Sequence, residues 1–97
     1  MPTFDVSEVF RKDLAALDQL DRGRFRKAVD AFVEDLKGKQ GFRPGLRVKG
    51  VKGAPGVFEM TWAPDGRATF QYGEQLREGE PHIVWRRVGT HDIFGRP

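Results

Sequence analysis

Val57 to Tyr72 (VFEMTWAPDGRATFQY) constrains the fold more than any other stretch of this chain. Phe58, Met60 and Trp62, then Ala68, Phe70 and Tyr72, are apolar, while Glu59, Thr61, Arg67, Thr69 and Gln71 between them are polar. Alternation of this kind is the period of a strand with one buried face. Pro64-Asp65-Gly66 separates the two runs and carries turn chemistry, because proline presets the first turn position and glycine accepts a left-handed residue. The pattern predicts a hairpin with a three-residue loop. Ala63 then pairs with Arg67, Met60 faces Phe70, and Phe58 faces Tyr72.

The apolar side of that hairpin needs a cover, and the N-terminal half supplies it. Thr3 to Val6 reads as a short strand at a sheet edge, and Ser7 as a helix cap. Phe10, Leu14 and Leu17 then recur at helical spacing, with Glu8 and Lys12 on the outer face, in a first helix ending near Gln19. Asp21 reads as the cap of a second helix, with Leu20 and Phe25 spaced as a hydrophobic staple. Its stripe is Phe25, Ala28, Val29, Phe32, Val33 and Leu36, and Gly38 ends it. Downstream, Leu46 to Lys49 reads as a short strand within irregular chain, and residues 73–80 as a polar connection. His82 to Val88 reads as a central strand, since Ile83-Val84-Trp85 is apolar on both faces. The expected class is α+β, an antiparallel helix pair on a small antiparallel sheet of about four strands, in one domain spanning 1–97.

Composition excludes several function classes. The chain has 97 residues and no cysteine, which removes disulfides, thiolate nucleophiles and cysteine–zinc sites and fits a cytoplasmic protein. No apolar run approaches the ~20 residues of a membrane span, and no signal-peptide pattern opens the chain. The net charge is only +3, but its distribution is uneven. Six basic residues and no acid lie between Asp35 and Glu59: Lys37, Lys39, Arg43, Arg47, Lys49 and Lys52. A one-sign segment of this kind is either the footprint of an anionic partner or a solvated loop. Arg22, Arg24, Arg26 and Lys27 crowd the start of the second helix, where the macrodipole disfavours cations. They form either a salt-bridged surface or a docking face for an acidic partner. The glycines of residues 39–56 lack the spacing and context of a phosphate-binding P-loop.

The chemistry-bearing candidates gather in the second half. Arg67 opens the strand after the turn. Arg86 and Arg87 are strand neighbours expected to point to opposite faces, so only one of them joins Arg67; Arg86 is that one if Ile83 and Trp85 face the helices. Arginine presents a rigid fork suited to phosphate oxygens. His91, just past the last strand, is the candidate for proton transfer, or else a packed histidine beside Asp92. Glu59 is a second possible base, or a structural carboxylate paired with a cation.

The order of two helices, a basic glycine-containing segment, the hairpin GVFEMTW…DGRATFQYG and the C-terminal HIVWRRVGTHDIF resembles the RelE/ParE superfamily of toxins from bacterial toxin–antitoxin modules. The resemblance covers nearly the whole chain. For the RelE branch it implies a ribosome-dependent, metal-independent endoribonuclease without cofactor. Such an enzyme binds the decoding site of the 30S subunit and cuts mRNA by activating a ribose 2′-hydroxyl, and a cognate antitoxin silences it. It implies that Arg67 and Arg86 or Arg87 hold the scissile phosphate, with His91 as acid/base. Lys49, Lys52 and Arg47 fall in the basic RNA-binding segment. Phe94 stands near the position where many such toxins carry a tyrosine, so a base can stack on it but no proton can pass through it. The ParE branch shares the fold and binds DNA gyrase without cutting RNA. A non-catalytic RNA-binding domain is the third alternative.

Overall fold

The computed structural model describes all 97 residues. Its elements run β1 (Thr3–Val6), α1 (Glu8–Ala16), α2 (Gln19–Gly38), a 3-10 helix (Pro44–Leu46), β2 (Lys49–Gly50), β3 (Val57–Thr61), β4 (Arg67–Gly73), β5 (His82–Gly89) and a second 3-10 helix (His91–Gly95). The helix pair lies on the sheet as expected. The sheet itself has five strands in the order β1-β5-β4-β3-β2 and is mixed, because β1 runs parallel to β5. Thr3 lies opposite His82, and the two side chains bond, Thr3 Oγ1 to His82 Nδ1, at 2.7 Å. Alternation in a four-residue strand reports a buried face but carries no information on direction.

The helices start where their caps allow. Ser7 accepts the Phe10 N–H at 3.0 Å and donates to the Arg86 carbonyl at 2.8 Å, which pins α1 to β5. Asp18, rather than Asp21, caps α2 by accepting the Asp21 N–H at 2.8 Å. The helix therefore begins at Gln19 and leaves Leu20 exposed, so no staple to Phe25 forms. Gly38 is still helical, and Lys39 takes the left-handed turn that follows it. Pro44 at the first position of a 3-10 turn, and Arg47 in left-handed conformation after it, replace the strand expected over Leu46–Lys49; only Lys49 and Gly50 pair with β3.

The hairpin keeps its two faces but moves its register by two residues. Phe58 lies opposite Phe70, Met60 opposite Ala68 and Thr61 opposite Arg67, so the loop holds five residues, Trp62–Gly66. Gly66 does not adopt a positive φ. Glycine is required there because the Trp62 ring lies against its Cα: a Cβ would sit 2.6 Å from the ring. The Trp62 N–H bonds the Gly66 carbonyl at 3.1 Å and its indole N–H bonds the Arg67 carbonyl at 3.0 Å, closing the longer loop. A slip of two residues preserves which side chains are buried, so burial alone did not choose between the registers.

Between the layers, Phe32 is fully buried and touches Phe42, Phe70 and Trp85, with ring centroids at 4.8, 4.9 and 5.1 Å. Phe10 and Phe25 extend this cluster toward Trp85 and Trp62. At ~25 cal/mol per Å² of apolar area, such aromatic burial dominates what holds the helices to the sheet. No helix is long and apolar enough to cross a membrane.

Candidate functional site

At the end of the sheet where the hairpin turns, Asp65 meets a residue 26 positions away. Its carboxylate bonds His91 Nδ1, and the Phe94 ring centre lies 6.1 Å from the imidazole. The second 3-10 helix sets this geometry. Thr90 caps it through the Asp92 N–H at 3.3 Å, and buried Ile93 anchors it to the core. His91 and Asp65 both remain more than half exposed. The hydrogen bond to His91 is the largest influence holding the Asp65 carboxyl below its ordinary range, and desolvation opposes it. With Nδ1–H donated to the carboxylate, Nε2 of the neutral ring is an open acceptor. A carboxylate bonded to one ring nitrogen fixes the orientation and tautomer of the imidazole.

The other end of the same 3-10 helix leads to Arg86 and Arg87. Thr69 lies opposite Arg87 while Phe70 lies opposite Trp85, so Arg86 is the extra residue of a β-bulge in β5. A bulge sets two residues against one and re-aims their side chains. The expectation that only one of the two arginines serves the polar face is thereby overturned. Arg86 Nε donates to the Pro97 carbonyl at 3.1 Å and an Arg87 terminal nitrogen donates to the Arg96 carbonyl at 2.9 Å. Both line one cavity of about 590 Å³ with Arg96, Gln71 and Ser7. Thr69, fully buried, also donates to the Pro97 oxygen, at 3.0 Å, and Gln71 accepts from Arg86. Arg87 is steadied by Asp13 of α1 at 2.6 Å, and the same carboxylate accepts the Val88 N–H at 3.2 Å. Main-chain oxygens of the tail thus accept from both arginines.

Arg67 does not join this pair. One of its terminal nitrogens folds onto its own turn, donating to the carbonyls of Ala63, Pro64 and Gly66 at 3.3, 3.3 and 2.9 Å. It lines a separate cavity that also holds Arg47. Lys49 lies directly across from Glu59, with 4.0 Å between the charges, so a cross-strand ion pair joins the edge strand to β3. Lys52 sits exposed in the turn beyond β2. The sequence-based candidates are therefore spread over four places: His91 with Phe94, Arg86 with Arg87, Arg67 with Arg47, and Lys49 and Lys52 at the β2 edge. Asp65, Gln71, Thr69 and Asp13 were absent from them. In the sequence Asp65 carries turn chemistry alone, and no local signal joins it to a histidine 26 residues on.

No protein-family model matches the sequence, and no curated protein matches it either. Solved structures do match in shape. YafQ in the DinJ–YafQ complex of E. coli superposes with a TM-score of 0.71 at 14% identity, covering 96% of this chain and 97% of that one. The YoeB/ParE toxin from Agrobacterium tumefaciens gives 0.66 at 11% identity over 92% and 98%. The RelB–RelE antitoxin–toxin complex from Methanococcus jannaschii gives 0.60 at 16% identity over 94% of both chains. The chain shares the fold of these three structures. The resemblance read from the sequence is borne out at the level of fold, two helices packed on one sheet.

Proposed function

We propose that this chain is the toxin of a toxin–antitoxin pair and acts in the cytoplasm as an endoribonuclease that cuts mRNA in the ribosomal decoding site. The observation that carries the reading is the His91–Asp65 pair, joined by one short 3-10 helix to the bulge-aligned Arg86 and Arg87. His91 Nε2 takes the proton of a ribose 2′-hydroxyl. The 2′-oxygen attacks the adjacent phosphorus, and the bond to the 5′-oxygen of the next nucleotide breaks as a 2′,3′-cyclic phosphate forms. The departing 5′-oxygen takes a proton, from protonated His91 or from water. Arg86 and Arg87 exchange the tail carbonyls for the phosphoryl oxygens, where negative charge develops. Preorganised donors at such a place are worth ~3–4 kcal/mol each, and the acid/base group ~10²–10⁴-fold in rate. Phe94, beside the imidazole, stacks on a base next to the cut. A cognate antitoxin is the expected protein partner, since YafQ and RelE were solved in complexes with DinJ and RelB.

The test is to incubate the purified protein with programmed ribosomes and map new 5′ ends, with free RNA in EDTA run beside it. Cuts within the decoding site that fall ~10²–10⁴-fold in His91→Gln, and also fall in Asp65→Asn, support the assignment. Cuts unaffected by both variants refute the site. An absence of cuts refutes the nuclease reading, and inhibition of gyrase supercoiling then becomes the assay.

A further inference from the structure

On the helix side of the hairpin turn lies an open cleft of about 570 Å³. Four cations from three elements line it: Arg24 and Lys27 of α2, Arg47 after the first 3-10 helix, and Arg67 at the start of β4. No carboxylate lines it. Its floor includes Leu46, Ala28 and the Trp62 side chain, so the charges stand over a low-dielectric surface that concentrates their field.

These cations are not explained by the fold. Arg22, their neighbour on α2, has a structural use, because it donates to the carbonyls of Leu14 and Ala15 at the end of α1. Arg24 has only an exposed contact with Asp21 at 3.4 Å. Lys27 and Arg47 form no ion pair. Arg24 and Lys27 lie in the N-terminal half of the helix, the half that the macrodipole makes less favourable to cations. Arg47 is held at φ 47° and ψ 46°, a left-handed conformation that strains a non-glycine residue. Glycine would relieve that strain and remove the charge. Arg67 spends one terminal nitrogen on three turn carbonyls, while its Nε and other terminal nitrogen have no protein acceptor. An uncompensated group of this kind, on a low-dielectric floor, is built for a multiply charged anion.

The cleft also borders the site above. Ala63 and Pro64 form one of its walls, and the next residue is Asp65, which holds His91. We infer that the cleft binds the sugar–phosphate backbone of a single RNA strand, taking phosphates that flank the bond addressed by His91. The inference rests on the RNA-directed reading of that site. It reassigns Arg67 from the scissile phosphate to its neighbours. It also draws Arg24 and Lys27 into RNA binding, to which composition alone did not assign them.

The experiment measures binding without cleavage. A 2′-O-methyl RNA 12-mer of mixed sequence lacks the attacking hydroxyl, and its anisotropy is titrated with the full chain across a salt series. The double variant Lys27→Gln, Arg47→Gln is compared with Lys12→Gln, Lys37→Gln, which removes the same charge from exposed positions outside the cleft. Each lost phosphate contact lowers the slope of log K against log salt by ~0.7 for a single strand, so the cleft pair should lower it by ~1.4 and weaken low-salt binding about tenfold or more. The control pair should leave the slope unchanged. Lys27→Glu alone, a surface change that a helix accepts, should weaken binding more than Lys27→Gln. Equal effects of the two pairs would reduce the cleft to net charge and overturn the inference, as would no effect of either. A polyglutamate peptide that loses its binding in the cleft variant, while RNA does not, would also overturn it and give the cleft to an acidic protein segment. Because the probe cannot be cut, failure of the nuclease reading appears only in the ribosome assay, and failure of the cleft appears only here.

Discussion

Replacing Gly66 by alanine should destabilise the protein through one identifiable collision. The new Cβ would lie 2.6 Å from both Cδ2 and Cε2 of Trp62 and 2.9 Å from Cβ of Ala63. Ordinary van der Waals contact begins near 3.4 Å, so the ring or the loop must move by about 0.8 Å. The ring is not free to do so. Its N–H is bonded to the Arg67 carbonyl, and its edge packs against Phe25 at a centroid distance of 6.0 Å. Overpacking of this size costs ~1–3 kcal/mol, and the stiffer unfolded chain of an alanine variant returns ~0.4–1 kcal/mol. The net loss of about 1–2 kcal/mol corresponds to a fall in Tm of roughly 5–15 °C for a domain of this size. Gly45→Ala is the matched control, because nothing lies within 4 Å of its Cβ and its φ is not positive. Thermal unfolding followed by circular dichroism gives the two Tm values, and Trp fluorescence reports the ring. If Gly66→Ala melts with Gly45→Ala, the close packing of Trp62 on the turn is wrong, and so is the reason given for the five-residue loop.

Three other substitutions test the frame around the site. Phe32→Ala should cost ~3–5 kcal/mol, enough to leave much of the protein unfolded in urea titration, because the ring is fully buried among Phe42, Phe70 and Trp85. Asp13→Ala should cost ~2–3 kcal/mol by the same assay, since it leaves a mostly buried Arg87 without its carboxylate partner and the Val88 N–H without its side-chain acceptor; Asp13→Asn should recover part of that. The Asp35 carboxyl is held below its ordinary range, chiefly by the Arg43 side chain and then by the Arg43 backbone N–H. Its contribution to stability is complete above the unfolded value of ~3.9 and is lost as pH falls through the lowered folded value, so Asp35→Asn should flatten the drop in Tm below about pH 4.

How much of this could be read in the chain depends on the range of the interaction. Helical periodicity marked both helices, and Ser7 was read correctly as a cap, because the hydroxyl and the N–H that it accepts are three residues apart. Alternation marked the hairpin's two faces, and the unbroken apolar run Ile83-Val84-Trp85 marked the central strand. Asp18 and Asp21 have the same capping chemistry, so the sequence offers either as the start of α2, and the fold uses Asp18. The candidate site was legible in composition but not in arrangement. Arginines and a histidine near the C-terminus suggested phosphate chemistry, yet a bulge in β5 decides that Arg86 and Arg87 act together, and strand periodicity argues against it.

Local chemistry therefore determined which segments are helix or strand, which face of each is apolar, and that the middle and late parts of the chain are cationic. Those properties depend on residues within a turn or two of one another. Tertiary structure alone decided the parallel direction of β1, the register of the hairpin, the meeting of Asp65 with His91 and the gathering of Arg24, Lys27, Arg47 and Arg67 around one cleft. Each of these joins surfaces from different elements. Alternative pairings that bury the same apolar side chains have nearly the same hydrophobic free energy, so the choice falls to shape, close packing and hydrogen-bond geometry across the whole fold.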